Sequence, residues 1–380
     1  MSSFMLKNYL PQEIIYGPTA VDQIGADRLG IKSKKILVIT DRGLAATGNI
    51  KKVTDLLDQV DVYSDLTGEP TTDAVEDALG FCRQKDYDFI IGIGGGSALD
   101  TAKVVAALKN QSITVAKALG RDLLESRKVG LGLIPTTAGT GSEATPNSIF
   151  IDSTDGVKKA VISQELIPDW VILDPAMTVS LPATITASTG MDALCHCIES
   201  LLSVNANEIS AAYSYQGVKL LSGNIRKVVE NGNDLEARGN MLLGSFFGGL
   251  ALTQAGTTAV HALSYPLGKR GVPHGVGNAM LLATVLKYNL SYCEEKMASL
   301  IPYMADSQSL RQASDILKHL DGYLKEFPLP KSLDEVGIKP ELLSELAAEA
   351  MQQTRLMSNN PRQLNVDEVE DIYKQILHLQ

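Results

Sequence analysis

Cysteine is scarce in this sequence, tryptophan occurs once, and no long apolar run is present. The four cysteines (Cys82, Cys195, Cys197 and Cys293) are too few and too irregularly spaced to staple 380 residues, which excludes a disulfide framework. No apolar stretch approaches the ~20 residues that cross a bilayer. The opening MSSFMLKNYLPQEIIYG lacks a basic region followed by an uninterrupted apolar segment, so no signal peptide is expected. Positive charge is also in deficit. With 34 Lys+Arg against 44 Asp+Glu the net charge is −10, which argues against a fold-wide basic face for nucleic acid. These absences leave a reduced, cytoplasmic chain with no membrane or nucleic-acid partner.

What remains is the composition of a globular enzyme, 44% hydrophobic and 21% charged. The first half alternates short β-like runs with helical stretches. Residues 34–40 (KKILVIT) read as a buried strand ending at Asp41-Arg42-Gly43, and 60–66, 88–97, 130–137 and 170–175 read as further strands. Residues 45–60 are helix-like, 71–85 form an amphipathic helix opened by Thr and Asp, and 98–110 form another. Such alternation predicts a doubly wound parallel sheet. The character changes near Pro182. Beyond it, Ala/Leu/Glu/Lys-rich segments at 185–203, 207–230, 234–255, 257–266, 275–288, 309–326 and 339–356 read as helices. The expected fold class is therefore α/β plus all-α, with residues 1–182 forming the first domain and 183–380 a helical second one.

Two turns carry anion-binding chemistry. In IIGIGGGSALDTAK (90–103) a buried strand runs into glycines, a serine and then a helix. Glycines let backbone N–H groups approach a phosphate, and the helix N-terminus adds partial positive charge. The pattern is neither GxGxxG nor a Walker loop, and a tight packing turn is the plainer alternative. The second turn, IPTTAGTGSEAT (134–145), is dense in hydroxyls that can bond a ribose or pyrophosphate; a capped surface loop is its alternative. Asp41, ending the first strong strand, can accept from ribose hydroxyls or merely cap a helix. A carboxylate there favours NAD over NADP, because it repels a 2′-phosphate.

Five histidines occur in all. In GMDALCHCIES, Asp192 and His196 stand four residues apart, which stacks both on one helix face, where they can share a metal ion. The stretch AVHALSYPLGKRGVPHGVGNAM supplies His261 and His274 on either side of a Gly/Pro-containing turn, a geometry that can return two imidazoles to one point. A buried histidine taken alone is more often a satisfied core residue than a ligand. Cys195 and Cys197 flank His196 at positions that point to different faces, so they read as small core residues. His319 and His378 lie in charged or terminal context and carry no such expectation.

Taken jointly, YGP (16–18), VITDRG, GGGSALDTAK, IPTTAGTGSE, LDP, GMDALCHCIE, HALSYPLG, PHG and NNPR resemble the iron-containing (group III) alcohol dehydrogenases over nearly the whole chain. The resemblance implies an N-terminal dinucleotide-binding α/β domain, a helical metal domain, and a homodimer or higher homo-oligomer. It implies a divalent metal, ferrous iron or alternatively zinc, on Asp192, His196, His261 and His274; one carboxylate with three imidazoles suits either ion. It implies NAD contacts at Asp41, Gly95, Gly96, Ser97, Asp100, Thr136, Thr137, Thr140, Asn147 and Lys158, with neighbouring Lys159 a rival for the last role. The implied reaction is reversible hydride transfer between NAD and a small alcohol or aldehyde, the metal polarising the substrate oxygen.

Three departures bear on the substrate. Many members place a second histidine four residues after the third ligand, as a proton relay; here that position is Tyr265. The loop between Gly268 and His274 is one residue shorter than usual and carries Lys269 and Arg270, two cations able to bind an acidic tail or simply to form a solvated turn. Where members often have Phe-Asn-Asn lining the pocket, this chain has Leu252-Thr253-Gln254. The alternatives to this activity are a glycerol-dehydrogenase-like polyol dehydrogenase and a dehydroquinate-synthase-like lyase.

Overall fold

The structure is a computed structural model that describes residues 7–378. Residues 1–6, on which part of the leader reading falls, and the last two lie outside the described residues. The chain divides into two compact units. One runs through Thr137 and resumes over Gly141–Thr178; the other comprises Ala138–Thr140 and everything from Val179.

The first unit is built on strands β1 (Glu13–Tyr16), β2 (Lys35–Asp41), β3 (Gln59–Leu66), β4 (Phe89–Gly94), β6 (Gly130–Pro135) and β9 (Trp170–Leu173), in the order β1-β9-β6-β4-β2-β3. Every pairing in this sheet is parallel. Alternate residues feed two separate cores. Leu37, Ile39, Ile90, Leu131 and Leu133 face one, while Ile36, Val38, Ile91, Ile93 and Ile134 face the other. A sheet apolar on both faces must be covered on both, which is why it is doubly wound. The connection from β2 runs to β3 and that from β4 to β6, in opposite directions along the sheet. The switch point therefore lies between β2 and β4, where ligands of open α/β sheets bind. A small second sheet, in the order β5-β8-β7, is formed by β5 (Gly120–Arg121), β7 (Asn147–Ile151) and β8 (Lys158–Ile162).

Helices of nine residues or more are numbered α1 (Thr72–Arg83) and α2 (Gly96–Leu108) in this unit. Thr71 caps α1, its hydroxyl accepting from the Ala74 N–H at 3.2 Å. The helical expectation for 45–60 meets a break. Gly48 adopts φ +73° and ends a short helix at Thr47, a second short helix covers Lys51–Thr54, and β3 begins at Gln59.

The second unit is helical: α3 (Ala183–Leu202), α4 (Glu208–Glu230), α5 (Leu235–Ala255), α6 (Ala259–Lys269), α7 (His274–Ala298), α8 (Ala313–Glu326), α9 (Leu343–Met351) and α10 (Val366–Gln375). Helix α3 is its axis and is buried almost throughout from Thr186 onward. It packs in one contiguous apolar core with α4, α5, α6 and α7. Helix α6 continues through Pro266 to Lys269, past the expected end at 266. The segment 339–356 breaks at Gln352 and Gln353, and α10, capped by Asn365 with Glu368, was not anticipated.

Candidate active site

Helix α3 buries polar side chains along one face, and a buried polar group must find partners. Asp192, His196 and Glu199 follow at intervals of four and three residues, one turn apart each. Asp192 and His196 are buried, and Glu199 is wholly so. His261 comes from the first turn of α6, and His274 is the first residue of α7. The Nε2 atoms of His196, His261 and His274 lie 3.7, 3.6 and 3.6 Å from one oxygen, Asp192 Oδ1. The donor atoms of Asp192, His196 and His261 all fall within 4.8 Å of one another. His274 is the open edge of the cluster, with a quarter of its side chain exposed.

The opposite edges of the rings are held. His196 Nδ1 donates to the Gly139 carbonyl at 3.2 Å. His261 Nδ1 meets Glu199 Oε2, and His274 Nδ1 lies 3.4 Å from Ser264 Oγ. Asn278, one turn beyond His274, donates from Nδ2 to Asp192 Oδ1 at 2.7 Å, and its own Oδ1 is buried with no partner. Burial works against charge on Asp192, but His196, His274 and His261 together outweigh it and hold its carboxyl well below the usual range. Burial pushes His196 down; at His261 the neighbouring Glu199 and Asp192 overcome burial and raise it to about 9. Convergent imidazole nitrogens and a carboxylate around one point fit a divalent cation of borderline softness.

Sequence reasoning missed Glu199, Asn278 and Gly139. Glu199 was readable as the next member of the Asp192–His196 stripe, and Asn278 as the residue one turn after His274. Gly139 carried no signal, because only the three-dimensional fold brings its carbonyl to His196.

In the first unit, Asp41, Gly95 and Thr136 stand at the C-terminal ends of β2, β4 and β6, three neighbouring strands. Asp41 Oδ1 accepts from the Leu44 N–H at 2.8 Å as a helix cap. Helix α2 starts at Gly96 behind Gly95, which offers no side-chain acceptor. Gly94 needs to be glycine, since at φ +152° a Cβ would lie 2.7 Å from that of Ala98. Ser97 lies in the first turn of α2, and Thr137 lies within 3.5 Å of the position a Cβ on Gly95 would take.

One oxygen of Asp100 accepts from the Ser142 hydroxyl and the other from the Ile149 N–H at 2.9 Å. Beside it Lys103, fully buried, donates to Ser142 O at 2.9 Å and Thr145 Oγ1 at 3.2 Å and also to the carbonyl of Asn147. Burial pushes Asp100 up and Lys103 down. Thr140 falls in the three-residue excursion that groups with the helical unit. Lys158 pairs with Glu69 at 2.7 Å, and Lys159 with Asp152 at 2.6 Å and Asp155 at 2.8 Å.

Of the substrate candidates, half-buried Leu252 lies near the end of α5. The Tyr265 ring centroid stands 5.8 Å from that of His274. Arg270 is committed elsewhere, bonding Glu345 and Glu349 at 2.9 Å each and the Pro266 carbonyl at 3.0 Å. Lys269 lies 4.0 Å from Glu349. These ion pairs tie the end of α6 to α9.

Comparison with known proteins gives the same answer for both units. The profile described as "Iron-containing alcohol dehydrogenase" matches residues 11–175, and "Fe-containing alcohol dehydrogenase family, C-terminal" matches 186–377. The chain is 38% identical over 367 residues to long-chain-alcohol dehydrogenase 1 of Geobacillus thermodenitrificans, covering 93% of this chain and 92% of that one. It is 31% identical over 384 residues to the NAD-dependent methanol dehydrogenase of Bacillus methanolicus, covering 98% and 100%. Among solved structures, 1,3-propanediol oxidoreductase superposes with a TM-score of 0.92 at 29% identity, covering 98% and 100% of the two chains. The chain belongs to the iron-containing alcohol dehydrogenase family. It is an oxidoreductase that uses NAD and a divalent metal to interconvert an alcohol and an aldehyde, and the polyol-dehydrogenase and lyase alternatives are not favoured. Among the described residues no helix is long and apolar enough to cross a membrane.

Proposed function

We propose that Asp192, His196, His261 and His274 hold the metal of an NAD-linked alcohol dehydrogenase whose substrate is a small, uncharged alcohol or aldehyde. The observation that carries this reading is the approach of three imidazole Nε2 atoms to 3.6–3.7 Å of a single Asp192 oxygen. Residues 1–182 serve the dinucleotide and 183–380 the metal. The dinucleotide contacts are Asp41, Gly95, Gly96, Ser97, Thr136, Thr137 and Thr140, with Asn147 and one of Lys158 or Lys159 at the edge of the small sheet. Asp100 supports that surface from behind by fixing Ser142 and the Ile149 N–H. A cytoplasmic homodimer completes the proposal.

When bound, the metal supplies Lewis acidity at the substrate oxygen, and NAD the hydride acceptor. The chain supplies position and charge. Asp192 contributes the one negative charge among the four donors. His274, at the exposed edge, borders the side from which substrate arrives. Tyr265, beside His274, passes the alcohol proton to solvent in this reading. Leu252 offers an apolar wall. An uncharged substrate is favoured over an acid-tailed one because Glu345 and Glu349 already neutralise Arg270.

The test is NADH oxidation by metal-stripped protein reloaded anaerobically with ferrous iron or zinc, against neutral and acid-tailed aldehydes. Turnover that depends on metal, fastest with a neutral aldehyde, is the expected result. Turnover indifferent to metal would remove the reading, and preference for an acid-tailed aldehyde would reverse its substrate part.

A further inference from the structure

We propose that Glu199 is a positioning residue of the metal site: it fixes which nitrogen of His261 carries the proton, and so makes His261 a ligand. The inference rests on the metal reading above and goes beyond it by naming the group outside the four donors that sets one of them.

Glu199 is a fully buried carboxylate with every hydrogen bond accounted for. Its Oε1 accepts from the Thr258 N–H at 3.0 Å, the Thr258 hydroxyl at 2.6 Å and the Val260 N–H at 2.9 Å. Thr258 is the N-cap of α6 and makes no side-chain cap of its own, so Glu199 provides the acceptor from another helix. Its Oε2 meets His261 Nδ1. A carboxylate can only accept, so Nδ1 must be the protonated nitrogen. In the neutral ring the lone pair is then left on Nε2, the atom that faces Asp192 Oδ1 from 3.6 Å. Backbone and imidazole are thus set by one side chain, which itself stands one turn from His196 on α3.

The NNPR motif braces the same turn. Asn359 Nδ2 donates to the Thr257 carbonyl at 3.0 Å, and Asn360 Oδ1 lies 3.4 Å from the Ala259 N–H while accepting from Asn289 at 2.8 Å. Side chains therefore hold the N–H groups of Thr258, Ala259 and Val260 in succession, which fixes the origin of the helix that carries His261. Glu199 and Asp192 together also place two negative charges against a divalent cation.

Glu199→Gln separates this role from packing. The amide has the same shape, and its oxygen can keep the three bonds from Thr258 and Val260. Its NH2 group then faces His261 Nδ1, which must become the acceptor, and the ring proton moves to Nε2 where it blocks coordination. Apo and zinc-loaded wild type, Glu199→Gln and His261→Ala are compared by chelator competition for zinc, by the visible spectrum of the cobalt(II) form, and by apo melting temperature. We expect Glu199→Gln to bind zinc about 10–100-fold more weakly, as loss of such outer partners does elsewhere. We also expect an altered cobalt spectrum and an apo melting temperature near that of wild type. Wild-type affinity in Glu199→Gln overturns the inference, even if its melting temperature falls. Equal zinc affinity in wild type and His261→Ala overturns the metal reading and this inference with it. Should Glu199→Gln not fold, a crystal structure of zinc-loaded wild type decides. Glu199 on His261 Nδ1 supports the inference, and another acceptor there overturns it.

Discussion

Asn278 Nδ2 donates to Asp192 Oδ1 at 2.7 Å, the same oxygen that three histidine Nε2 atoms approach. The bond ties the start of α7 to the middle of α3 and holds the carboxylate in the orientation the cluster needs. Asn278→Ala removes the only amide donor this oxygen has among the described residues. Metal affinity is expected to fall by about tenfold or more, measured by chelator competition on the zinc form. Unchanged affinity would reduce Asn278 to a packing residue.

Gly275 follows His274 and lies against the backbone of α3. A Cβ there would stand 2.4 Å from the Ser188 carbonyl oxygen and 2.8 Å from its carbon, and backbone cannot yield as a side chain can. Gly275→Ala therefore pushes the start of α7 away from α3 and carries His274 from Asp192. Activity and metal affinity should both drop, with a fall in stability of the ~1–3 kcal/mol typical of overpacking. Gly223→Ala, at a helical glycine whose added Cβ meets nothing within 4 Å, is the control; it should leave activity intact and stabilise by roughly 0.5–1 kcal/mol. Equal behaviour of the two variants would remove the argument.

Much of this was legible in the sequence because periodicity reports burial. The runs at 34–40 and 88–97 read as strands because both sheet faces are apolar, and Asp192 with His196 read as a pair because helical spacing is fixed. Three kinds of feature were not legible. Short strands such as β1 and β8 carry too few residues to show a period. The break at Gly48 depends on a left-handed backbone that a single glycine does not announce. The partners of Arg270 were not legible because Glu345 and Glu349 are more than seventy positions away in the chain.

Glu143 is a buried carboxyl in the hydroxyl-rich loop, and burial pushes it up to about 7 from 4.5. Between those two values the folded protein keeps a proton that the unfolded chain has released. Stability from this group is therefore full below about pH 4.5 and is lost as pH rises through 7. At about 1.4 kcal/mol per unit the loss amounts to roughly 3 kcal/mol by pH 8. Glu143→Gln, which cannot ionise, should be the more stable protein at pH 8 and should flatten the decline between pH 5 and 7.5, read by urea unfolding. Parallel curves for the two proteins would rule Glu143 out as the titrating group.

Lys269 and Arg270 make a prediction by their partners. Because Glu345 and Glu349 compensate the pair, changing both to Ala should shift KM for succinic semialdehyde and for butyraldehyde by similar factors. The melting temperature should fall as α6 and α9 lose their tie. A KM rise confined to the acidic aldehyde would restore the pair as an anion site.

Tyr265 stands one turn after His261 on α6, its ring centroid 5.8 Å from that of His274. A phenol can donate and accept a proton but, unlike imidazole, stays neutral across the physiological range. A relay through it would therefore show no protonation step near pH 6–7 of its own. Tyr265→Phe keeps the ring and removes only the hydroxyl. If the hydroxyl carries the alcohol proton, kcat should fall by about 10²-fold or more with NAD affinity unchanged, and the solvent deuterium isotope effect on kcat should change. Tyr265→His should recover part of the rate and introduce a dependence on pH near 6.5. Unaltered kcat in Tyr265→Phe would send the proton out by water alone and leave Tyr265 as a wall beside His274.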